Sequence, residues 1–216
     1  MPKDIEIEEK VETGFDKGID YADMKKKLID AYNDNINNLI KLDQDAKDYD
    51  SKKRILNNKV IYTIVAMIQL RNGCRIIEAC KAIKIFFKKK DLNEKILVKL
   101  AKSECLKKKH NRVFKTKARF RKIVFPTKWV DFTLSEEIIG YLDNIRIVNL
   151  KQRVLDYLIK YFKCNTHSLR YAFINYMLYE KKVEMTLVAK FVGHVDVSQL
   201  VRYSQNKNAD NIFDLD

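Results

Sequence analysis

A short block near the C-terminus gathers side chains suited to gripping and attacking a phosphodiester. Asn165-Thr166-His167-Ser168-Leu169-Arg170 sets a histidine and an arginine three apart, His194 follows 24 residues after Arg170 behind Gly193, and Tyr203 comes nine residues later. On a helix, His167 and Arg170 share one face a single turn apart. A guanidinium can donate two parallel hydrogen bonds to the non-bridging oxygens of a phosphate, and an imidazole beside it can exchange a proton near the attacking or leaving oxygen. Gly193 suits the end of a helix running through Leu187, Val188 and Phe191, which puts His194 on a turn. A tyrosine phenol, with an ordinary pKa of about 10, becomes a usable nucleophile only where its proton is drawn off and positive charge surrounds it. Tyr203 is one of 11 tyrosines, so position rather than type singles it out. Val197, Leu200 and Val201, at helical spacing, would anchor a short helix and aim the phenol.

The charge of the chain names the kind of partner. Its 216 residues carry 43 Lys+Arg against 29 Asp+Glu, a net +14, so a polyanion is the natural ligand. The charge is uneven: residues 1–50 hold 8 basic and 14 acidic side chains, which leaves 35 basic against 15 acidic in the rest. Residues 81–128 alone hold 18 Lys/Arg with only Asp91, Glu94 and Glu104 as acids. A single run such as Lys88-Lys89-Lys90 is explained by a solvated surface, but the asymmetry of the whole chain is not. No apolar run approaches the ~18 residues of a membrane span, and Met1-Pro2-Lys3-Asp4 opens no signal peptide. An intracellular protein with no membrane partner is expected. Cys74, Cys80, Cys105 and Cys164 form no CxxC pair and lie away from the histidines at metal-ligand spacings, so reduced packing residues and no metal site are expected.

The elements that must position these groups are mostly helical. Residues 1–50 are polar and acid-rich, with one amphipathic helix over Tyr21 to Leu42 through Met24, Leu28, Tyr32, Ile36 and Leu39. The core is expected to begin near Ser51. Ile55 to Leu70 reads as a buried helix, Asn72-Gly73 breaks it, and Arg75 to Ala82 opens another with Ile76, Ala79 and Cys80 inward. The period then changes: Lys95 to Leu100 is a strand, a long basic connection follows, and Arg121 to Phe125 before Pro126 is its partner in a hairpin. From Leu134 the pattern is helical again. The fold class is mainly α with a small antiparallel sheet (α+β), in three parts: an acidic helical segment or linker at 1–50, a catalytic domain at 51–205 and a tail at 206–216.

Four boxes carry a family resemblance. Asn72-Gly73-Cys74-Arg75-Ile76-Ile77-Glu78 resembles the TGLRxxE box of the tyrosine recombinase (phage integrase) superfamily, Thr166-His167-Ser168-Leu169-Arg170-Tyr171 its H-x-L-R box, and Phe191-Val192-Gly193-His194 its L-G-H box. Tyr203 falls where that family has its nucleophile. The likeness covers roughly residues 51–205, with the catalytic-core fold of that superfamily as its implied architecture. Departures are Asn72 for Thr, Cys74 for Leu and Val192 for Leu, none at a position that would do chemistry.

The resemblance implies roles. Arg75 and Arg170 would clamp the scissile phosphate, although Arg75 taken alone reads as a helix-end arginine paired with Glu78. His167 and His194 would assist proton transfer and charge neutralisation, and Tyr203 would attack to give a 3′-phosphotyrosyl enzyme and a free 5′-hydroxyl. A lysine on the β-hairpin would be the general acid; Lys102 is chosen for its place just after the strand, with Lys99, Lys107 to Lys109, Lys115 and Lys117 as competitors. Lys99, Lys107, Lys108, Lys109 and Arg112 would contact phosphates of double-stranded DNA without reading sequence. The covalent link conserves the phosphodiester energy, so neither a cofactor nor a metal is called for. A homo-oligomer, dimer to tetramer, would assemble on DNA. The acidic N-terminal segment would be repelled by phosphate, and the apolar tip Ile212, Phe213 and Leu215 would dock on an adjacent copy. Integration or resolution of a mobile element from an AT-rich genome is the expected use. A type IB topoisomerase, a telomere resolvase or an inactive DNA-binding relative are the alternatives.

Overall fold

The computed structural model describes residues 18–101, 106–109, 112–115, 119–132, 136–193 and 200. The chain is mainly α-helical with small antiparallel sheets, as its periodicity predicts. Helix α1 (Tyr21–Ile40) starts where the Asp20 carboxylate accepts the Asp23 N–H at 2.7 Å. It buries Met24, Leu28 and Tyr32 in the same core as the helices that follow. Helix α2 (Tyr49–Asn72) is the axis of the molecule: from Val60 to Leu70 nearly every residue is buried, so it is packed on all sides. Its first turns are polar and solvated, with Lys52 bridging Asp48 at 2.9 Å one turn apart, which is why hydrophobic spacing predicts a later start.

Gly73 ends α2 in the left-handed region at φ 55°, and α3 (Ile76–Lys89) leaves at a sharp angle. The predicted strand pair forms as β1 (Ile96–Lys99) against β4 (Phe120–Ile123), antiparallel with Ile96 opposite Ile123 and Lys99 opposite Phe120. Ile96, Val98 and Ile123 face the core; Leu97 and Phe120 face out. The basic connection contains a second antiparallel pair that spacing does not predict, β2 (Leu106–Lys109) with β3 (Arg112–Lys115). Leu-Lys-Lys-Lys and Arg-Val-Phe-Lys lack the alternation by which a half-buried strand is recognised.

Helices α4 (Glu136–Asn144) and α5 (Ile147–Phe162) close the core, α5 through Leu150, Val154, Tyr157 and Leu158. Helix α6 (Thr166–Asn175) is capped by Asn165, whose Oδ1 accepts the Ser168 N–H at 3.0 Å, and runs into a π-helical turn at Tyr176–Glu180. Helix α7 (Met185–Val192) ends at Gly193, left-handed at φ 75°, where a Cβ would come within 3.0 Å of Leu100. A smaller cluster of Phe173, Ile174, Val188, Ala189, Val192 and Leu200 joins α6 to α7. Tyr21 stacks on Tyr176 with ring centroids 4.1 Å apart and meets Trp129 and Phe173 edge-on or tilted, which fastens α1 to this end of the molecule. Among the described residues no single helix is long and apolar enough to cross a membrane.

Candidate active site

The turn between α2 and α3 is where the first arginine is positioned. Arg75 caps α3, and the Glu78 carboxylate reaches back to accept its N–H at 3.1 Å. The Arg75 side chain, 22% exposed, lies 3.4 Å from the same carboxylate. Glu78 is fully buried, and a buried carboxylate needs partners. Besides Arg75 it accepts the Ala101 N–H at 3.1 Å and faces the Arg121 guanidinium at 3.7 Å. It thereby ties the start of α3 to the end of β1 and to β4. Arg121 also donates to the Asn72 carbonyl and sits over the Phe191 ring at 5.2 Å, so one guanidinium touches the turn, the sheet and α7.

The side chain of Asn72 pairs with the backbone of Val124 in both directions, Nδ2 to O at 2.9 Å and N–H to Oδ1 at 3.0 Å. Gln69 donates to the Cys74 carbonyl at 3.2 Å and the Thr166 carbonyl at 2.8 Å, holding the α2–α3 turn against the start of α6. Gly73 admits no side chain: a Cβ would lie 2.2 Å from the Phe173 ring.

Arg170, 97 residues further along the chain, points back into this turn. It is 3% exposed, and its Nη1 donates to the Gly73 carbonyl at 2.6 Å while Nη2 donates to the Val192 carbonyl at 2.8 Å. Two of the five donors of the guanidinium therefore join the α2–α3 turn to the end of α7. His167, one turn earlier on α6, is exposed. Arg75, His167 and Arg170 line one cavity of about 510 Å³, with Gln69 and Ala101 at its wall. Lys151 and Leu155 from α5 line it as well, although no sequence box contains them. The three arginine and histidine groups come from two segments far apart in sequence, and together they present cationic and proton-carrying groups to one space.

Comparison with known proteins assigns the chain to a family. Over 209 residues it is 44% identical to a protein named "Putative integrase V10" from the Sputnik virophage, covering 94% of this chain and 91% of that one. The chain belongs to that virophage integrase family. It is also 26% identical over 200 residues to "Putative integrase ORF241" of Acidianus two-tailed virus, covering 93% of this chain and 68% of the other. A third relative, "Uncharacterized protein MJ0770" of Methanocaldococcus jannaschii, is 28% identical over 213 residues, covering 94% and 90%. No protein-family model matches the chain, and no solved structure matches it at a significant level.

The other sequence-selected residues fall into two groups. Lys102, His194 and Tyr203 lie outside the described residues, as does the tail with Ile212, Phe213 and Leu215. Lys99 ends β1 and is half-buried, Lys107, Lys108 and Lys109 lie on β2, and Arg112 opens β3, so the basic segment is organised on hairpin strands. Burial pushes the Cys74 and Cys80 thiols up to about 12, as expected of inert packing cysteines. The contacts of Glu78 with Ala101 and Arg121, and Lys151 in the cavity wall, are features that the sequence boxes did not give; Lys151 carries no sequence signal beyond its place on a basic amphipathic helix.

Proposed function

We propose that this chain is a DNA integrase that cuts and rejoins strands through Tyr203, and that Arg75, His167, Arg170 and His194 stabilise the transition state. The observation that carries this is the meeting of Arg75, His167 and Arg170 at one cavity, from boxes about a hundred residues apart. The names of the two viral relatives support the integrase part, and the order of the four boxes supports the tyrosine part. In the proposed reaction the Tyr203 phenol gives up its proton to a histidine of the site and its oxygen bonds to phosphorus as the bond to the 5′ oxygen breaks and that oxygen takes a proton, giving a 3′-phosphotyrosyl enzyme. A 5′-hydroxyl from another strand then attacks phosphorus and the tyrosine leaves. Lys102 is the proposed proton donor. Guanidinium and imidazolium groups held in place before the reaction cost no reorganisation as charge develops on the phosphate.

DNA is the proposed partner, gripped in part by the basic β2–β3 hairpin, with protomers assembling on it. A hollow of about 440 Å³ between α6, the π-helical turn and α7, lined by Phe173, Met177, Val183, Leu187, Val188 and Phe191, suits the apolar tip of a neighbouring copy. Leu187 and Phe191 are about half exposed there, so covering them removes apolar surface from water. The central test is covalent capture. Incubated with a pool of nicked duplexes of randomised sequence, the full chain should form an adduct that survives denaturation and maps to Tyr203. Tyr203→Phe should bind and form none; an adduct at another tyrosine would refute the assignment.

A further inference from the structure

We propose that Lys151, on α5, is a phosphate-binding residue of the cavity, placing its ammonium against a non-bridging oxygen of the bound strand; this role rests on the integrase function above. Lys151 belongs to none of the boxes, yet it lines the same space as Arg75, His167 and Arg170. The commitments of the neighbouring cations point to it. Arg170 spends two donors on backbone carbonyls, and Arg75 shares its charge with Glu78. Among the described residues Lys151 forms no ion pair. Its field nonetheless reaches the interior, where it acts to lower the pKa of the Cys80 thiol against the larger effect of burial.

Geometry fixes the stem of this side chain. Leu150, its neighbour, is fully buried, as are Val154 and Leu158 further along the helix, so α5 cannot roll to carry Lys151 away. Leu155, one turn on, lines the cavity too and adds an apolar side chain to its wall. A cation next to a low-dielectric wall attracts a phosphate more strongly than one in open water. An ammonium is a compact point charge, suited to a single oxygen rather than to the forked grip of an arginine.

The salt dependence of DNA binding tests this. For the full chain on a labelled duplex of arbitrary sequence, each lost phosphate contact should reduce the slope of log K against log salt by ~0.9. Lys151→Ala should lower the slope by about that amount, weaken binding several-fold at low salt and slow covalent capture on the randomised nicked pool at saturating protein, while Lys151→Arg keeps the slope. Lys160→Ala, on the exposed side of the same helix, should leave slope and capture unchanged. Lys151→Gln, which keeps much of the stem, replaces Lys151→Ala if the latter melts early. A wild-type slope in a stably folded Lys151→Ala or Lys151→Gln variant overturns the proposal alone. Shallow salt dependence and no adduct in the wild type would overturn the integrase function itself. Full rescue of Lys151→Ala by a 5′-bridging phosphorothioate would overturn the phosphate-contact role and leave the integrase function standing, because it would make Lys151 the proton donor.

Discussion

Gly73→Ala should damage stability and DNA cleavage together, because one turn serves both. A Cβ at position 73 would enter the left-handed region at φ 55° and lie 2.2 Å from Cδ1 of Phe173. The backbone conformation costs ~1–2 kcal/mol for a residue with a side chain. Relieving the overlap by moving Phe173 or the turn adds ~1–3 kcal/mol, the usual range for overpacking. The expected loss is about 2–5 kcal/mol, or roughly 5–20 °C in melting temperature for a chain of this size. Urea unfolding of Gly73→Ala, Phe173→Ala and the double variant separates the two terms. Phe173→Ala opens the space Cβ needs, so the double variant should be less destabilised than the sum of the single variants by ~1–3 kcal/mol. Since the Gly73 carbonyl accepts from Arg170 at 2.6 Å, any shift of the turn also moves that guanidinium, and covalent capture should fall with stability. A loss under ~1 kcal/mol, or strict additivity in the double variant, would refute the steric account.

Arg75→Ala should lower covalent capture on the order of 10²-fold or more, and wild-type capture should survive excess EDTA; strict dependence on Mg²⁺ would point to a carboxylate nuclease instead. Lys102→Ala should be rescued by a 5′-bridging phosphorothioate, whose sulfur leaves without a proton, and rescue at Lys109 or Lys117 instead would move the acid. Deleting residues 209–216 should leave the monomer's melting temperature intact and reduce higher-order complexes on DNA in native gels; unchanged assembly would refute the docking of the tip. Cys74 and Cys80, with thiols near 12, should resist alkylation at pH 8 in the native protein and react at ordinary rates in urea; fast native labelling would contradict their burial.

The framework was legible in the sequence where one physical signal dominated. Spacings of three and four gave α1, the continuous apolar run gave the buried half of α2, and Asn72-Gly73 gave the turn. The change of period at the apolar run Ile96-Leu97-Val98, and the short run before Pro126, gave β1 and its antiparallel partner to within a residue or two. What stayed hidden depended on tertiary partners. The β2–β3 pair is disguised by its lysines, which carry no apolar period. The i, i+3 spacing pairs Glu78 with Arg75, and the two are in contact, but its partners Ala101 and Arg121 are visible only once the sheet is folded against the turn. Lys151 enters the cavity because α5 crosses beside α3 and α6, a geometry no local spacing encodes. Gln69 looks like an ordinary polar residue in a buried helix until the Cys74 and Thr166 carbonyls converge on it.

The two carbonyl contacts of Arg170 bear on how such a protein can decay. In the proposed integrase, the simplest inactivating change is loss of an arginine proposed to grip phosphate. Here that change would strip the Gly73 and Val192 carbonyls of their buried donors, at a cost of ~1–3 kcal/mol for each group left unsatisfied. Degenerate copies that still fold should therefore keep Arg170 and lose function through residues that the scaffold does not need, so a surviving arginine at this position records folding as much as activity.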